Sequence, residues 1–327
     1  MSRRTSLALI ATIAAAAALA PSTACAQEWP TKPIRLVAPF PPGSSIDIIA
    51  RLLAQPMGDK LGQPIVVENK IGAGGNVGVG AVAKSPRDGY TIGIGGRGPL
   101  AINGFLVESM SNDPVKNLAP IAIFGSSAIV LWVRAESPAK TLPDFIAQAK
   151  ASPGKLNFAS DGIGTTNHLG GEVLKSTAKI DIVHIPYKGT QEALMALLQC
   201  DAQIFPASLA PLVGQYKAGK IRPLATAMKA RDSQLPDVPT VGEVGFAGAE
   251  MYAWFAMFAP QGTPPEILAK IRDALGAALA ESEVRDKLVS FGITPQLSTS
   301  QEMAKLLTEE QAKWGPVIRA QTSIKAN

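Results

Sequence analysis

The chain of 327 residues is 46% hydrophobic, 17% charged and 6% aromatic, which excludes a disordered, collagenous or small disulfide-stapled protein. Its formal charge of +5 falls to +3 without Arg3 and Arg4 of the N-terminal segment, too weak and dispersed for a nucleic-acid footprint. The length suits two lobes better than one core.

Residues 1–26 read as a secretory signal peptide. Arg3 and Arg4 precede an apolar run over 7–20, and Ala24-Cys25-Ala26 offers a cleavage site near Ala26. The run is shorter than the ~20 residues a membrane-spanning helix needs. Ser2-Arg3-Arg4-Thr5-Ser6-Leu7 partly matches a twin-arginine signal without its aromatic residue, so either export route is open. Ser22-Thr23-Ala24-Cys25 lacks the leading Leu of a lipoprotein box, and a soluble mature form is expected. Cleavage leaves Cys200 as the sole thiol, so no intramolecular disulfide is expected. It ends the apolar stretch 193–198 and reads as a small core residue.

Beyond the leader, strand-like and helix-like segments alternate with Gly/Pro-rich connections, the signature of an α/β protein with largely parallel sheets. Strands are predicted over 34–39, 65–68 and 90–94, with helices over 45–61 and 77–84 between them; Pro56 is expected to kink the first helix. Apolar residues then run over 121–134 through Gly125-Ser126-Ser127, a small-residue break that reads as a hinge between two sheets. A second set follows: helices over 142–151, from 167, over 192–198 and 209–218, and strands over 156–159, 182–184, 202–205 and 222–226. The turn-rich stretch 229–248 reads as the return connection, with 252–258 as a strand crossing back. Three helices close the chain, with core stripes at Ile267, Leu268, Ile271, Leu275 and Leu279 and at Met303, Leu306, Leu307, Trp314, Val317 and Ile318. Two crossings imply a discontinuous lobe, 27–127 plus 249–327, and an inserted lobe, 128–248, around a ligand cleft.

Catalytic signatures are mostly missing. His168 and His184 are the only histidines, and H-E-x-x-H, G-x-S-x-G and paired cysteines are absent. An enzyme is therefore not expected, nor any metal or cofactor. The phosphate-loop likeness over 214–220 fails at Ile221, where a Ser/Thr should stand, and reads as a helix end capped by Gly219. Gly93-x-Gly95-x-x-Gly98 matches a dinucleotide fingerprint, but Pro99 and Asn103-Gly104 follow in place of an apolar helix.

The positive signals are Gly- and Ser-rich loops that follow predicted strands: Pro41-Pro42-Gly43-Ser44-Ser45-Ile46-Asp47, Gly72-Ala73-Gly74-Gly75-Asn76, 160–168 and Lys188-Gly189-Thr190. Such loops expose backbone N–H groups at helix N-termini, where an anion is favoured. The alternative for each is ordinary capping, with Asp47 serving its own helix. Ligand sites of parallel sheets lie at the carboxyl ends of strands, so loops from two lobes would face one cleft and a small anion.

Here the sequence resembles the tripartite tricarboxylate transporter solute receptors of the Bug type. The resemblance rests on Trp29-Pro30, Pro39-Phe40-Pro41-Pro42-Gly43, Asp47-Ile48-Ile49-Ala50-Arg51, Val67-Glu68-Asn69, Gly72-Ala73-Gly74-Gly75-Asn76, Asp88-Gly89-Tyr90-Thr91, Pro186-Tyr187-Lys188-Gly189 and Pro236-Asp237-Val238-Pro239-Thr240. It implies a periplasmic receptor of two-lobed, Venus-flytrap architecture that closes on a small carboxylate and delivers it to membrane transporter subunits. By that resemblance Phe40, Ser44, Ser45, Asp47, Gly75 and Asn76 form the first-lobe clamp. Ser126, Ser127, Asp161, Thr165, Thr166 and His168 are hinge and second-lobe contributors, with a structural role for His168 equally open. Members often carry a small residue at Arg97 and an acid at Ala207. Loss of the acid removes a partner for an ammonium, and Arg97 offers a fork for a second carboxylate, or else points to solvent. A dicarboxylate without an amino group is expected, terephthalate ahead of a citrate-like tricarboxylate. A ligand sensor and an exported enzyme acting on carboxylic acids are the alternatives, and a monomer is expected from function alone.

Overall fold

The computed structural model describes residues 28–105 and 114–320, without the side chains of 114–115 and 316–320. The predicted signal peptide lies outside the described residues, as do the side chains of Val317 and Ile318.

The first elements are β1 (Ile34–Ala38), α1 (Ser45–Leu61), β2 (Ile65–Asn69), α2 (Asn76–Ala83), β3 (Thr91–Gly96), α3 (Pro114–Asn117), β4 (Leu118–Ala128) and β5 (Val130–Arg134). Next come α4 (Leu142–Ala151), β6 (Asn157–Ser160), α5 (Thr166–Ala178), β7 (Val183–Pro186), α6 (Thr190–Gln199), β8 (Phe205–Ala207), α7 (Val213–Lys217) and β9 (Ile221–Thr226). The chain ends with β10 (Tyr252–Pro260), α8 (Pro265–Ala280), α9 (Ser282–Ser290), β11 (Ile293–Pro295) and α10 (Ser300–Ala320).

Local chemistry sets many of these limits. Ser44 caps α1 by accepting the Asp47 amide at 3.3 Å, and Gly62 stops the helix in the left-handed conformation at φ 73°. The helix runs through Pro56 without a break. A capping box of Thr141 and Asp144 starts α4. Cys200 is exposed, not a core residue: α6 has ended, and the cysteine closes it at φ 70° facing solvent.

Six strands form one sheet in the order β11-β4-β10-β3-β1-β2, parallel among β3, β1 and β2 and antiparallel around β10 and β4. A second set contains the antiparallel sheet β8-β5-β9 and the parallel pair β6-β7, linked by a bridge between Phe158 and Ile204. The protein is thus an α/β fold of two lobes, one on each set of strands. The chain changes sheets at Ile129, whose carbonyl accepts the Ala227 amide at 2.7 Å, while the Ala227 carbonyl accepts the Met251 amide at 2.7 Å. The predicted hinge at Gly125-Ser126-Ser127 lies just before this crossing, inside β4 and paired with β10 and β11. The glycines of the fingerprint-like run serve packing. A Cβ on Gly93 would lie 2.3 Å from the Phe258 ring, and one on Gly96 would lie 2.8 Å from the Trp254 carbonyl oxygen.

Candidate functional site

The N-termini of α1 and α5 converge on one small pocket of about 60 Å³. Thr165 caps α5 as Ser44 caps α1: its Oγ1 accepts the His168 amide at 3.3 Å and donates to the Gly162 carbonyl at 2.8 Å. Ser44, Ser45, Thr165, Thr166 and Asn167 line the pocket, together with Phe40, Ser208 and Trp254. Trp254 is 1% exposed, and its Nε1–H finds no acceptor among the described residues. A buried donor without a partner is costly, and beside two helix N-termini it suits an anion.

A wider cleft of about 650 Å³ adjoins this pocket at Phe40 and Asp161. One wall is the loop before α2, where Gly72, Ala73, Gly74 and Gly75 hold φ of 143°, 46°, 60° and 97°. Such values strain any residue with a Cβ, which explains the glycines and makes Ala73 a strained position. Asn103 braces the loop by donating to the Gly74 carbonyl and to Asn76 Oδ1, both at 3.0 Å. Its own Oδ1 is buried without a partner among the described residues. Ile163, Tyr187 and Lys188 line the opposite side.

The two lobes meet across these cavities. A Cβ on Gly74 would lie 2.5 Å from the Ile163 carbonyl oxygen, and one on Gly98 would lie 2.6 Å from that of Gly164. Gln191 Nε2 also donates to the Gly43 carbonyl at 3.2 Å. The lobes are thus in contact along the cleft.

Of the residues expected at the site, Phe40, Ser44, Ser45, Gly75, Asn76, Asp161, Thr165 and Thr166 line the two cavities. Asp47 does not. Its Oδ2 accepts the Gly43 amide at 2.9 Å and its Oδ1 accepts from Arg51 and Asn69; burial alone would raise its pKa, but these partners hold it below the usual carboxylate range. Arg97 is also elsewhere, and it does not point to solvent. It is 3% exposed, with Nε 2.9 Å from Glu310 Oε2, Nη2 donating to Oε1 at 3.0 Å and Nη1 against Met251 Sδ. Ser126 and Ser127 stay within β4. Ala207 is buried in β8, where its carbonyl accepts Trp132 Nε1 at 3.0 Å; the next residue, Ser208, reaches the pocket instead.

His168 stands behind the loop. Its Nδ1 accepts the Gly164 amide at 3.1 Å, and its ring stacks on His184 with centroids 3.9 Å apart. Burial lowers the His168 pKa to about 4; burial, then His168 and Lys175, lower that of His184 to about 3. Ser160 Oγ lies 2.6 Å from His184 Nε2, a serine–histidine contact that no motif signalled. Ser160 is fully buried, exchanges hydrogen bonds with the Gly162 backbone and lines neither cavity, so the contact braces the loop. Among the described residues no three His, Cys, Asp or Glu side chains cluster as metal ligands. Trp254, Ser208, Asn103 and Asn167 were not foreseen; only Asn167 had a sequence signal, its place in the first turn of a predicted helix.

The model of the family described as tripartite tricarboxylate transporter family receptor matches residues 49–322. Protein BugT of Bordetella pertussis is 35% identical to this chain, over 96% of each. A solved structure described as a periplasmic transporter has a TM-score of 0.86 at 37% identity, covering 91% of this chain and 99% of its own. MatC from Rhodopseudomonas palustris with bound malate gives 0.84 at 32%, covering 89% and 100%. R. palustris Rpa4515 with adipate gives 0.86 at 32%, covering 89% and 98%.

Proposed function

The chain belongs to the tripartite tricarboxylate transporter receptor family, and on that premise we propose that it captures a dicarboxylate without an amino group. One carboxylate occupies the small pocket, held by the α1 and α5 N-termini, the Ser and Thr hydroxyls and Trp254 Nε1–H. The rest of the ligand extends into the wider cleft, where Lys188 faces the second carboxylate in the role first assigned to Arg97. The observation that carries this reading is the convergence of two helix N-termini and an unpartnered buried indole N–H on one pocket. The dicarboxylates malate and adipate, bound to the related proteins, support the class. The apolar walls at Phe40, Ile71, Ile163 and Tyr187 support terephthalate ahead of a citrate-like tricarboxylate.

In this reading the protein acts in the periplasm after loss of residues 1–26, as a monomer with lobes 27–127 plus 249–327 and 128–248. It hands its cargo to membrane subunits of the tripartite type. A thermal-shift and calorimetric screen of aliphatic and aromatic diacids, tricarboxylates and acidic amino acids tests the reading. A ligand at ~100 times its dissociation constant adds about 2.7 kcal/mol to the folded state. Trp254→Phe is expected to weaken the best diacid about tenfold or more, since a hydrogen bond to a charged group contributes roughly 1.5–3 kcal/mol. Silence with every carboxylate, or binding of amino acids alone, would overturn the proposal.

A further inference from the structure

Among the described residues Asp161 is the one titratable residue that lines both cavities. Its Oδ2 accepts from Thr190 Oγ1 at 3.3 Å, and its Oδ1 is buried with no partner among the described residues. An ionised carboxylate here would stand without a cation partner beside a site built for an anion, with two negative charges sharing one low-dielectric space.

The surrounding charges do not relieve it. On α5, His168 is turned to the Gly164 amide and Glu172. On β7, His184 is bonded to Ser160. Tyr187, Lys188 and Glu192 line the wider cleft with it, and the Lys188 amide donates to Glu192 Oε2. From the first lobe, Asp47 is occupied by Gly43, Arg51 and Asn69. Among the described residues no cation pairs with the Asp161 carboxyl.

We propose that Asp161 is the specificity residue of this site and meets the ligand as a neutral carboxylic acid, its Oδ1–H donating to an oxygen of the bound carboxylate. The inference rests on the receptor reading above. Burial pushes the Asp161 carboxyl up before any ligand arrives, although Thr165, its own backbone, Thr190 and Asn167 pull the other way. An adjacent ligand carboxylate pushes it further, so binding draws one proton from solvent between the free and bound pKa values. Affinity therefore falls as pH rises through that window. A ligand that presents an ammonium here meets a donor and is rejected, which gives a reason for a site selective against amino acids.

The test is calorimetry of wild type and Asp161→Asn with malate, adipate and terephthalate between pH 6.5 and 9, in two buffers of different ionisation heat. Carboxylate ligands are fully ionised above about pH 6.5 and add no titration of their own. Wild type should lose up to about tenfold in affinity per pH unit and take up protons on binding. Asp161→Asn, a neutral isostere that still donates, should bind within about threefold of the wild-type affinity at pH 6.5 and show neither effect. Its ligand-free melting temperature should be no lower than wild type, and Asp161→Ser should also bind without pH dependence. A pH-independent wild type, or a loss of tenfold or more in Asp161→Asn at every pH, would show that Asp161 takes up no proton when the ligand binds and overturn the proposal. Binding of none of the three acids by either protein would remove the receptor reading, and this inference with it.

Discussion

Arg97 and Glu310 offer a sharp test of where this protein keeps its charges. They stand 213 residues apart in sequence and are 3% and 7% exposed, joined by two contacts of 2.9 and 3.0 Å. Trp314 Nε1 donates to the same carboxylate at 2.9 Å, and the Arg97 guanidinium lies 4.7 Å from the centre of the Tyr252 ring. Arg97→Met leaves the Glu310 carboxylate buried with the indole as its remaining donor, and breaking such a pair costs about 3–5 kcal/mol. At ~2.1 cal/mol/K per residue over about 290 residues, unfolding gains roughly 0.6 kcal/mol/K, so the melting temperature should fall by about 5–8 °C. Arg97→Met/Glu310→Leu should recover most of that loss, because it removes both charges and fills the space with apolar atoms. Urea denaturation and thermal melts measure the stability, and calorimetry with the best diacid measures the site. Affinity should stay within threefold of wild type. An Arg97→Met protein that melts within a degree of wild type but loses its ligand would return Arg97 to the binding site and refute the reasoning.

Gly98→Ala probes closure: the added Cβ would lie 2.6 Å from the Gly164 carbonyl oxygen across the cleft, an overpacking of about 1–3 kcal/mol. Diacid affinity should drop roughly fivefold to 150-fold with little change in ligand-free melting temperature, and undiminished binding would show that the closed contact is not needed. The stacked histidines predict acid sensitivity. Their folded pKa values of about 4 and about 3 lie below the ordinary 6.5, so the stability gained by keeping them neutral is complete above pH 6.5 and is lost as pH falls toward those values. For His168 the loss reaches about 2 kcal/mol at pH 5. Asp161 and Glu172, raised chiefly by burial, act in the opposite sense, losing stability as pH rises above the ordinary carboxylate range. The measurement is therefore the difference between wild type and His168→Gln in unfolding free energy from pH 7.5 to 5. Parallel profiles would show that His168 does not titrate on unfolding.

Local chemistry was legible in the residues. The helix spans 45–61 and 142–151 coincide with α1 and α4, because Ser44 and Thr141 cap their first turns and the apolar spacing is continuous. The Gly/Ser-rich loops do enter helices at strand ends, and those after β1, β2, β6 and β7 line the cavities. β11 escaped notice because Ile293-Thr294-Pro295 is too short to show a period, and it exists only by pairing with β4. Pocket membership was harder to read. Ser208 and Ala207 are neighbours and both buried, and only the pairing of β8 with β5, which ends at Ala207, decides which of them reaches the pocket. Trp254 lay in a strand already foreseen, yet nothing local marks its Nε1–H as unpartnered.

By itself the sequence determined the alternation of strands and helices, the caps and the glycine turns, since these depend on residues within a few positions of one another. Tertiary structure alone decided that Arg97 belongs to Glu310, that Cys200 faces solvent, and that Asp161 and Trp254 share one pocket. A charge or a polar atom is satisfied by whatever the fold brings within about 3 Å, and that partner can stand anywhere in the chain.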